Sequence, residues 1–293
     1  MQDRLSKLAT SANALIAIGL ALKAKLRDET ADLTHAVQVE QVIDALGLSD
    51  SIDSLTKTQA SAMLANIRSD LLLGVQVLSD DPIASQWAHD NPELLQSFGE
   101  VSAGFPTVLE SKIAAELDGL LDRLNAPGAK FLDVGVGVAE LSIAMVRKWP
   151  SLQVLGVDPW GPSLAIGSEN LRKAGLADQI DLREAPAETL SETEEFDLAW
   201  IPSAFIPRQS LPIVLKQVGK ALKPGGWLLL ARPHFEEEPL ARATAHLRTV
   251  LWGGLPLSAD DAQVLLGQSG FADVRSVIMP PGAPIAVTAA RAQ

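Results

Sequence analysis

The spacing of apolar residues changes character near residue 126. Before it, Ala and Leu recur at helical intervals and strand formers rarely alternate. Helices are expected at about 5–27, 34–47, 56–79, 92–102 and 106–124, broken at Gly47-Leu48-Ser49-Asp50, Asp80-Asp81-Pro82 and Gly104-Phe105-Pro106. In the last of these, Leu109, Ile113, Leu117, Leu120, Leu121 and Leu124 form one apolar stripe, the mark of a packing face. After Asn125-Ala126-Pro127-Gly128, short strand-like runs (130–134, 153–157, 180–183, 196–201, 227–231) alternate with helical stretches at about 139–149, 161–174, 208–222 and 237–252. A repeated strand–helix unit of this kind builds a parallel sheet covered on both faces. The end departs from it. A helix near 258–269 precedes two runs, 272–279 and 284–290, joined through Pro280-Pro281-Gly282, a connection so short that they pair antiparallel.

Composition narrows the chemistry. The 293 residues suit two modest domains or one elaborated one, and 47% hydrophobic with 20% charged residues is ordinary for a globular chain. With no Cys, disulfides, thiolate catalysis, zinc ribbons and iron–sulfur clusters are excluded. The four His (His35, His89, His234, His246) have no metal-ligand spacing, and no metal is expected. A net charge of −12 opposes phosphate backbones and anionic membranes, so neither nucleic acid nor membrane is an expected partner. Before residue 126 lie 9 of the 24 basic and 18 of the 36 acidic residues. The apolar stretch Ala14–Leu22 is too short to span a bilayer, and Lys23, Lys25 and Arg27 continue its helical pattern. It reads as a buried first helix more readily than as a signal peptide, which favours a cytoplasmic setting.

The first strand runs into Asp133-Val134-Gly135-Val136-Gly137-Val138-Ala139-Glu140-Leu141. Glycines at 135 and 137 permit a tight turn and close approach of a ligand, and the helix that follows begins with open N–H groups. A dinucleotide would need Gly or Ala where Glu140 stands, and Asp133 adds a second carboxylate; a cationic ligand suits the loop better than a diphosphate.

The run from Phe131 to Leu141 resembles motif I of the class I S-adenosylmethionine-dependent methyltransferases, with Ala139 at the third glycine, where a small residue is expected to suffice for strand–helix packing. Asp158 ends the second strand, 23 residues after Gly135, where the family has a carboxylate on the ribose hydroxyls; the alternative is a helix cap before Trp160-Gly161-Pro162. Lys223-Pro224-Gly225-Gly226 resembles the family's turn into strand five, and the terminal hairpin its inserted seventh strand. The resemblance covers 126–293. It implies a Rossmann-like α/β fold: a seven-stranded, mostly parallel sheet with a terminal antiparallel hairpin, plus an all-helical N-terminal domain. Residues 1–125 would be a cap or dimerisation domain and 126–293 the catalytic domain.

The resemblance further implies S-adenosyl-L-methionine as cofactor, held by Asp133, Gly135, Gly137, Asp158, Pro159, Pro186, Ala187, Ile201 and Pro202. Pro186 is a departure: it stands where an Asp commonly receives the adenine amino group, leaving the Ala187 N–H and Glu188 to meet the ring. Small-molecule O-methyltransferases with a helical N-terminal domain carry a His shortly after strand four; here that place is Ala204 or Phe205, in the apolar run Trp200–Pro207, which reads as a pocket wall. Phe98, on a segment similar to that subfamily's linker helix, Trp160 and Phe205 are expected near the substrate, and Trp87 and Phe98 nearest any pocket. His234, just after strand five, is the candidate base, or a plain loop residue; the Glu236–Glu238 run reads as an acidic first turn.

The implied activity is methyl transfer to a small, apolar acceptor, most readily at oxygen, with a homodimer formed through the helical domain. The alternative is a protein that binds the cofactor without transferring methyl.

Overall fold

The computed structural model describes all residues except 28–34, 80–86, 235–237, 281, 282 and 284. The Asp80-Asp81-Pro82 break, Glu236, Glu237 and the turn residues Pro281 and Gly282 thus lie outside the described residues. The chain divides into two compact units, Met1–Asp81 with Glu93–Gly104, and Pro82–Pro92 with Phe105–Gln293.

The helical unit contains α1 (Gln2–Arg27), α2 (Ala36–Ala45), α3 (Ser49–Ser54), α4 (Lys57–Ser79) and α5 (Pro92–Glu100), which enters from its last sheet-unit residue, then a short turn of helix at Val101–Gly104. Leu22, Ala60 and Leu64 form its buried centre, with Ile18, Leu26, Leu55 and Ile67 packed around them. Gly19 lets α1 approach α4: a Cβ there would stand 3.7 Å from Ile67 and Leu64. Outside this seam α1 is open, with Leu5, Leu8, Leu15 and Ile16 all exposed. By length and composition α1 is apolar enough to cross a membrane, which Ala14–Leu22 alone did not suggest, and 17% of its most apolar window is buried.

In the sheet unit, α6 (Phe105–Val108) and α7 (Leu120–Asn125) flank a wide turn of helix at Leu109–Ile113 and a tight one at Ala114–Glu116. The single helix expected at 106–124 is therefore broken. Gly119 adopts φ 73°, and carbonyls freed by the break are taken up elsewhere: Arg275 donates to Glu116 O at 3.0 Å and Trp227 Nε1 to Asp118 O at 3.2 Å. The leucine stripe survives the break, since Leu109, Ile113, Leu117, Leu120 and Leu124 are buried in one core with Phe131, Trp200 and Trp227. For this reason the main segment of the compact unit begins at Phe105, and the boundary expected at 125/126 does not coincide with it.

Seven strands follow: β1 (Lys130–Val134), β2 (Gln153–Asp158), β3 (Ile180–Glu184), β4 (Phe196–Pro202), β5 (Leu222–Pro233), β6 (Ala272–Val277) and β7 (Ile285–Arg291). Their order is β3-β2-β1-β4-β5-β7-β6; the first five are mutually parallel, and β7 runs antiparallel to both β5 and β6. The α/β class, the seven strands and the inserted antiparallel strand agree with the sequence reading. Helices α8 (Glu140–Lys148), α9 (Gly161–Ala174), α10 (Leu211–Ala221), α11 (Pro239–Leu251) and α12 (Ala259–Gln268) complete the unit. Alternate residues of β4 serve opposite cores: Leu198 and Trp200 join one, Ala199 and Ile201 the other. Double-sided burial explains why the central strands read as continuous apolar runs.

Candidate active site

In an open parallel sheet, ligands sit beyond the carboxyl ends of the strands, where the chain crosses from one face to the other. Here that place is the exit of β1, between β2 and β4. Gly135 and Gly137 adopt φ 69° and 53°, a region that costs other residues about 1–2 kcal/mol. The N–H groups of Gly135 and Val136 both donate to Val157 O, at 2.8 and 3.2 Å, which pins the turn to β2. Gly156 is required beneath it, because a Cβ there would lie 2.6 Å from Val136 Cγ2. Gly167 of α9 lets that helix pack against the turn, since a Cβ there would stand 3.1 Å from Gly137 O, and Asn170 donates to Val138 O at 3.0 Å.

The structure corrects one expectation about this loop. Ala139, at the third glycine position, has φ 65°. Smallness is therefore not the only demand there: the backbone bends into the left-handed region, and the methyl group is held at a strain glycine would not feel.

Two carboxylates flank the turn. Asp133 is buried and accepts from Ser142 Oγ at 2.6 Å; burial, chiefly, and the nearby Asp158 raise its pKa from 3.8 to about 7, against the lowering effect of the Ser142 bond. Asp158 Oδ2 accepts the Gly137 N–H at 2.9 Å and Oδ1 the Trp160 N–H at 2.8 Å. Burial raises its pKa too, with these two bonds opposing. Asp158 thus ties the end of β2 to the turn and to the start of α9, so the capping role weighed for it is partly real. Each carboxylate oxygen keeps a further lone pair for a ligand hydroxyl. Because the turn's N–H groups at 135, 136 and 137 are already spent on protein acceptors, it offers no phosphate cradle at these positions. Burial disfavours both charges, and a nearby cation would relieve both.

Around this turn, Pro202, at the end of β4, lies where a Cβ on Gly135 would meet its ring at 3.4 Å; Ile201 is buried in the core behind it. Pro159 and Pro186 are exposed; Ala187 is buried and begins a short helical turn after β3, with Glu188 half-buried beside it. Ser203, directly after β4, was passed over in the sequence as part of an apolar wall. It is buried, and its Oγ has no hydrogen-bond partner.

A second cluster lies across the same edge. Trp87 meets His89 edge-on at 4.7 Å and Phe205 edge-on at 5.1 Å, and Phe205 stacks on Trp252 at 4.9 Å. Arg248 stands 5.1 Å above Trp252, and Trp160 Nε1 donates to His89 O at 2.7 Å. Gly254 backs the exit of β4 so closely that a Cβ would lie 1.9 Å from Ala204 O. Trp87, Trp160 and Phe205 are therefore brought together. Phe98 is half-buried on α5, in the helical unit. His234 is exposed after β5, and Glu238 caps α11 by accepting the Ala241 N–H at 2.7 Å.

Residues 131–226 match the family of methyltransferase domains. The order of the strands and the turn after β1 agree with the methyltransferase domain that these residues match, as the resemblance implied. Among curated proteins, the ubiquinone/menaquinone biosynthesis C-methyltransferase UbiE of Rhizobium meliloti is 30% identical over 42% of this chain and 50% of its own length. The chain spans about half the length of the curated relatives it matches. Among solved structures, an O-methyltransferase family protein from Burkholderia thailandensis shares the fold with TM-score 0.65 and 15% identity over 99% of this chain and 98% of its own. Human N-acetylserotonin methyltransferase, in complex with S-adenosylmethionine, does so with TM-score 0.63 and 16% identity over 99% and 97%.

Proposed function

We propose that the protein transfers a methyl group from S-adenosyl-L-methionine to a small, apolar acceptor at oxygen. The observation that carries this is the pair of carboxylates, Asp133 buried and Asp158 half-buried, set around a left-handed glycine turn whose own N–H groups are spent inside the protein. Such a site favours a cation with a polyhydroxylated arm. When bound, the cofactor supplies a methyl group already activated by the positive charge on its sulfur. Asp158 would hold the ribose hydroxyls, Asp133 would balance the positive charge, and Gly135, Gly137, Ile201 and Pro202 would shape the slot. Pro159, Pro186 and Ala187 would border the adenine. With Pro186 in place of a carboxylate, adenine recognition rests on backbone and apolar contact.

The remaining task of the protein is alignment and exclusion of water. The aromatic surface of Trp87, Phe205 and Trp252 fits an apolar acceptor, to which Trp160 would contribute. Oxygen is favoured by the O-methyltransferase among the fold neighbours, whereas UbiE is a C-methyltransferase. His234, exposed after β5, is the base that the sequence alone would offer.

The exposed apolar residues of α1 fit a homodimer better than a lipid span. Ala17, Gly19 and Leu22 are committed to protein packing, and Lys23, Lys25 and Arg27 follow within the same helix. A cytoplasmic setting fits this reading.

The test is calorimetry with S-adenosylmethionine. Wild type should bind, and Asp158→Ala should weaken binding by about 30-fold or more, the worth of charge-assisted hydrogen bonds of roughly 2 kcal/mol. No heat with wild type, or an unchanged variant, overturns the reading.

A further inference from the structure

We infer that His89 is the proton acceptor of the methyl-transfer site, carried across the glycine turn by a strap of chain, residues 87–90, and that the acceptor it serves is a flat phenol. This rests on the methyltransferase reading above. The argument begins with strand order. β1 lies between β2 and β4, so whatever touches the exits of both neighbours passes over the turn that follows β1. The strap does so. Its His89 carbonyl accepts from Trp160, two residues beyond β2, and its Trp87 ring meets Phe205, three residues beyond β4.

His89 is 6% exposed, and its ring is held edge-on by Trp87 at 4.7 Å. Through Trp160 it is two bonded steps from the carboxylate beside the turn, since the same Trp160 donates its backbone N–H to Asp158. The strap thus ties the histidine to the cofactor-binding edge from one side and to the aromatic wall from the other. His234 has neither link: it is exposed, and it follows β5, which the order of the sheet separates from β1 by β4.

The chemistry completes the assignment. The apolar residues Ala204 and Phe205 leave the exit of β4 without a titratable side chain, yet a phenol must lose its proton as it reacts. As the phenolic oxygen bonds the methyl carbon, its proton passes to the His89 imidazole; the electron pair of the broken carbon–sulfur bond stays on sulfur, leaving a neutral thioether. Rings presented edge-on and stacked, with Trp87, Phe205 and Trp252 all within about 5 Å of a neighbour, favour a flat aromatic guest.

The test uses the intact chain and two probes, S-adenosylhomocysteine and sinefungin, which bears an ammonium group where the transferable methyl would be. Calorimetry first establishes that each binds. The His89 ring signals in NMR should then differ between the two complexes, while those of His35, His234 and His246 coincide. Binding of both probes with unchanged His89 signals overturns the inference and leaves the cofactor reading intact; no binding of either removes both. On the fastest substrate of a panel of simple phenols, His89→Gln should lower kcat by about 100-fold or more, within the usual range for a lost general base, with the cofactor Kd unchanged. The loss should shrink for phenols already ionised at the assay pH. His89→Asn guards against a packing defect specific to Gln. Equal turnover by both variants and wild type overturns the inference.

Discussion

The two units of this chain spend their hydrophobic residues differently. In the sheet unit, cores on both faces of the sheet close around central strands whose side chains are nearly all buried, and the left-handed residues of the turn after β1, Gly135, Gly137 and Ala139, are held by that closure. In the helical unit a thin seam between α1 and α4 is closed, while Leu5, Leu8, Leu15, Ile16, Met63, Leu71, Val75 and Leu78 remain exposed. Preorganisation for chemistry requires a filled interior, because strained backbone persists only where surrounding packing over-determines it. A surface rich in exposed leucine fits the homodimer proposed above.

The contrast can be broken most forcefully at Gly156. Its replacement by Val drives a side chain into Val136 and should destabilise the sheet unit by about 3 kcal/mol or more, seen as a large fall in Tm and loss of cofactor binding. A rise or an unchanged Tm would mean that the turn is far softer than its contacts suggest. In the helical unit, the pair Leu8→Glu and Leu15→Glu should leave Tm within a few degrees but convert a dimer to monomer in sedimentation velocity; retention of the dimer would place the interface elsewhere.

A subtler probe is pH. The folded-state pKa of Asp133, about 7, lies above its ordinary 3.8. Its protonated form is the one folding favours, so the stability linked to it is complete below pH 4 and is lost as pH rises towards 7. Asp133→Asn should therefore gain stability relative to wild type, on the order of 2 kcal/mol by pH 8, with no relative gain near pH 4, measured by urea denaturation across that range. Binding of a cationic ligand should take up the ionised form and release protons near neutral pH. The smallest effect is at Ala139, where Gly should stabilise by up to about 1 kcal/mol by relieving the left-handed alanine; a lower Tm would show that the methyl group packs too well to lose.

Much of the sheet unit could be read directly from residues. Runs such as Phe196–Ile201 are apolar because both faces are covered, and Pro280-Pro281-Gly282 could join only antiparallel strands. The turn after β1 was legible for the same reason: few sequences place two glycines and a carboxylate at a strand exit without a backbone demand. What stayed hidden depends on contacts distant in sequence. The break at Gly119 follows from partners 109 and 159 residues away along the chain, Trp227 and Arg275, and no local periodicity encodes them. The left-handed state of Ala139 was masked by its identity, since alanine there looks like an ordinary helix start. His89 lay in a stretch with no pattern, and only the contacts of residues 87–90 with Trp160 and Phe205 give it a place.

Residues Pro82–Pro92 belong to the sheet unit although Glu93–Gly104 return to the helical one, so the chain passes between the two more than once. Inheritance feels this directly. A recombination that exchanged everything upstream of β1 between two such genes would deliver a new strap, with its Trp87 and His89, and a new helical surface in one piece, and leave the turn after β1 and the aromatic residues beyond it untouched. Lineages of this architecture can change what they modify without relearning how to hold the donor.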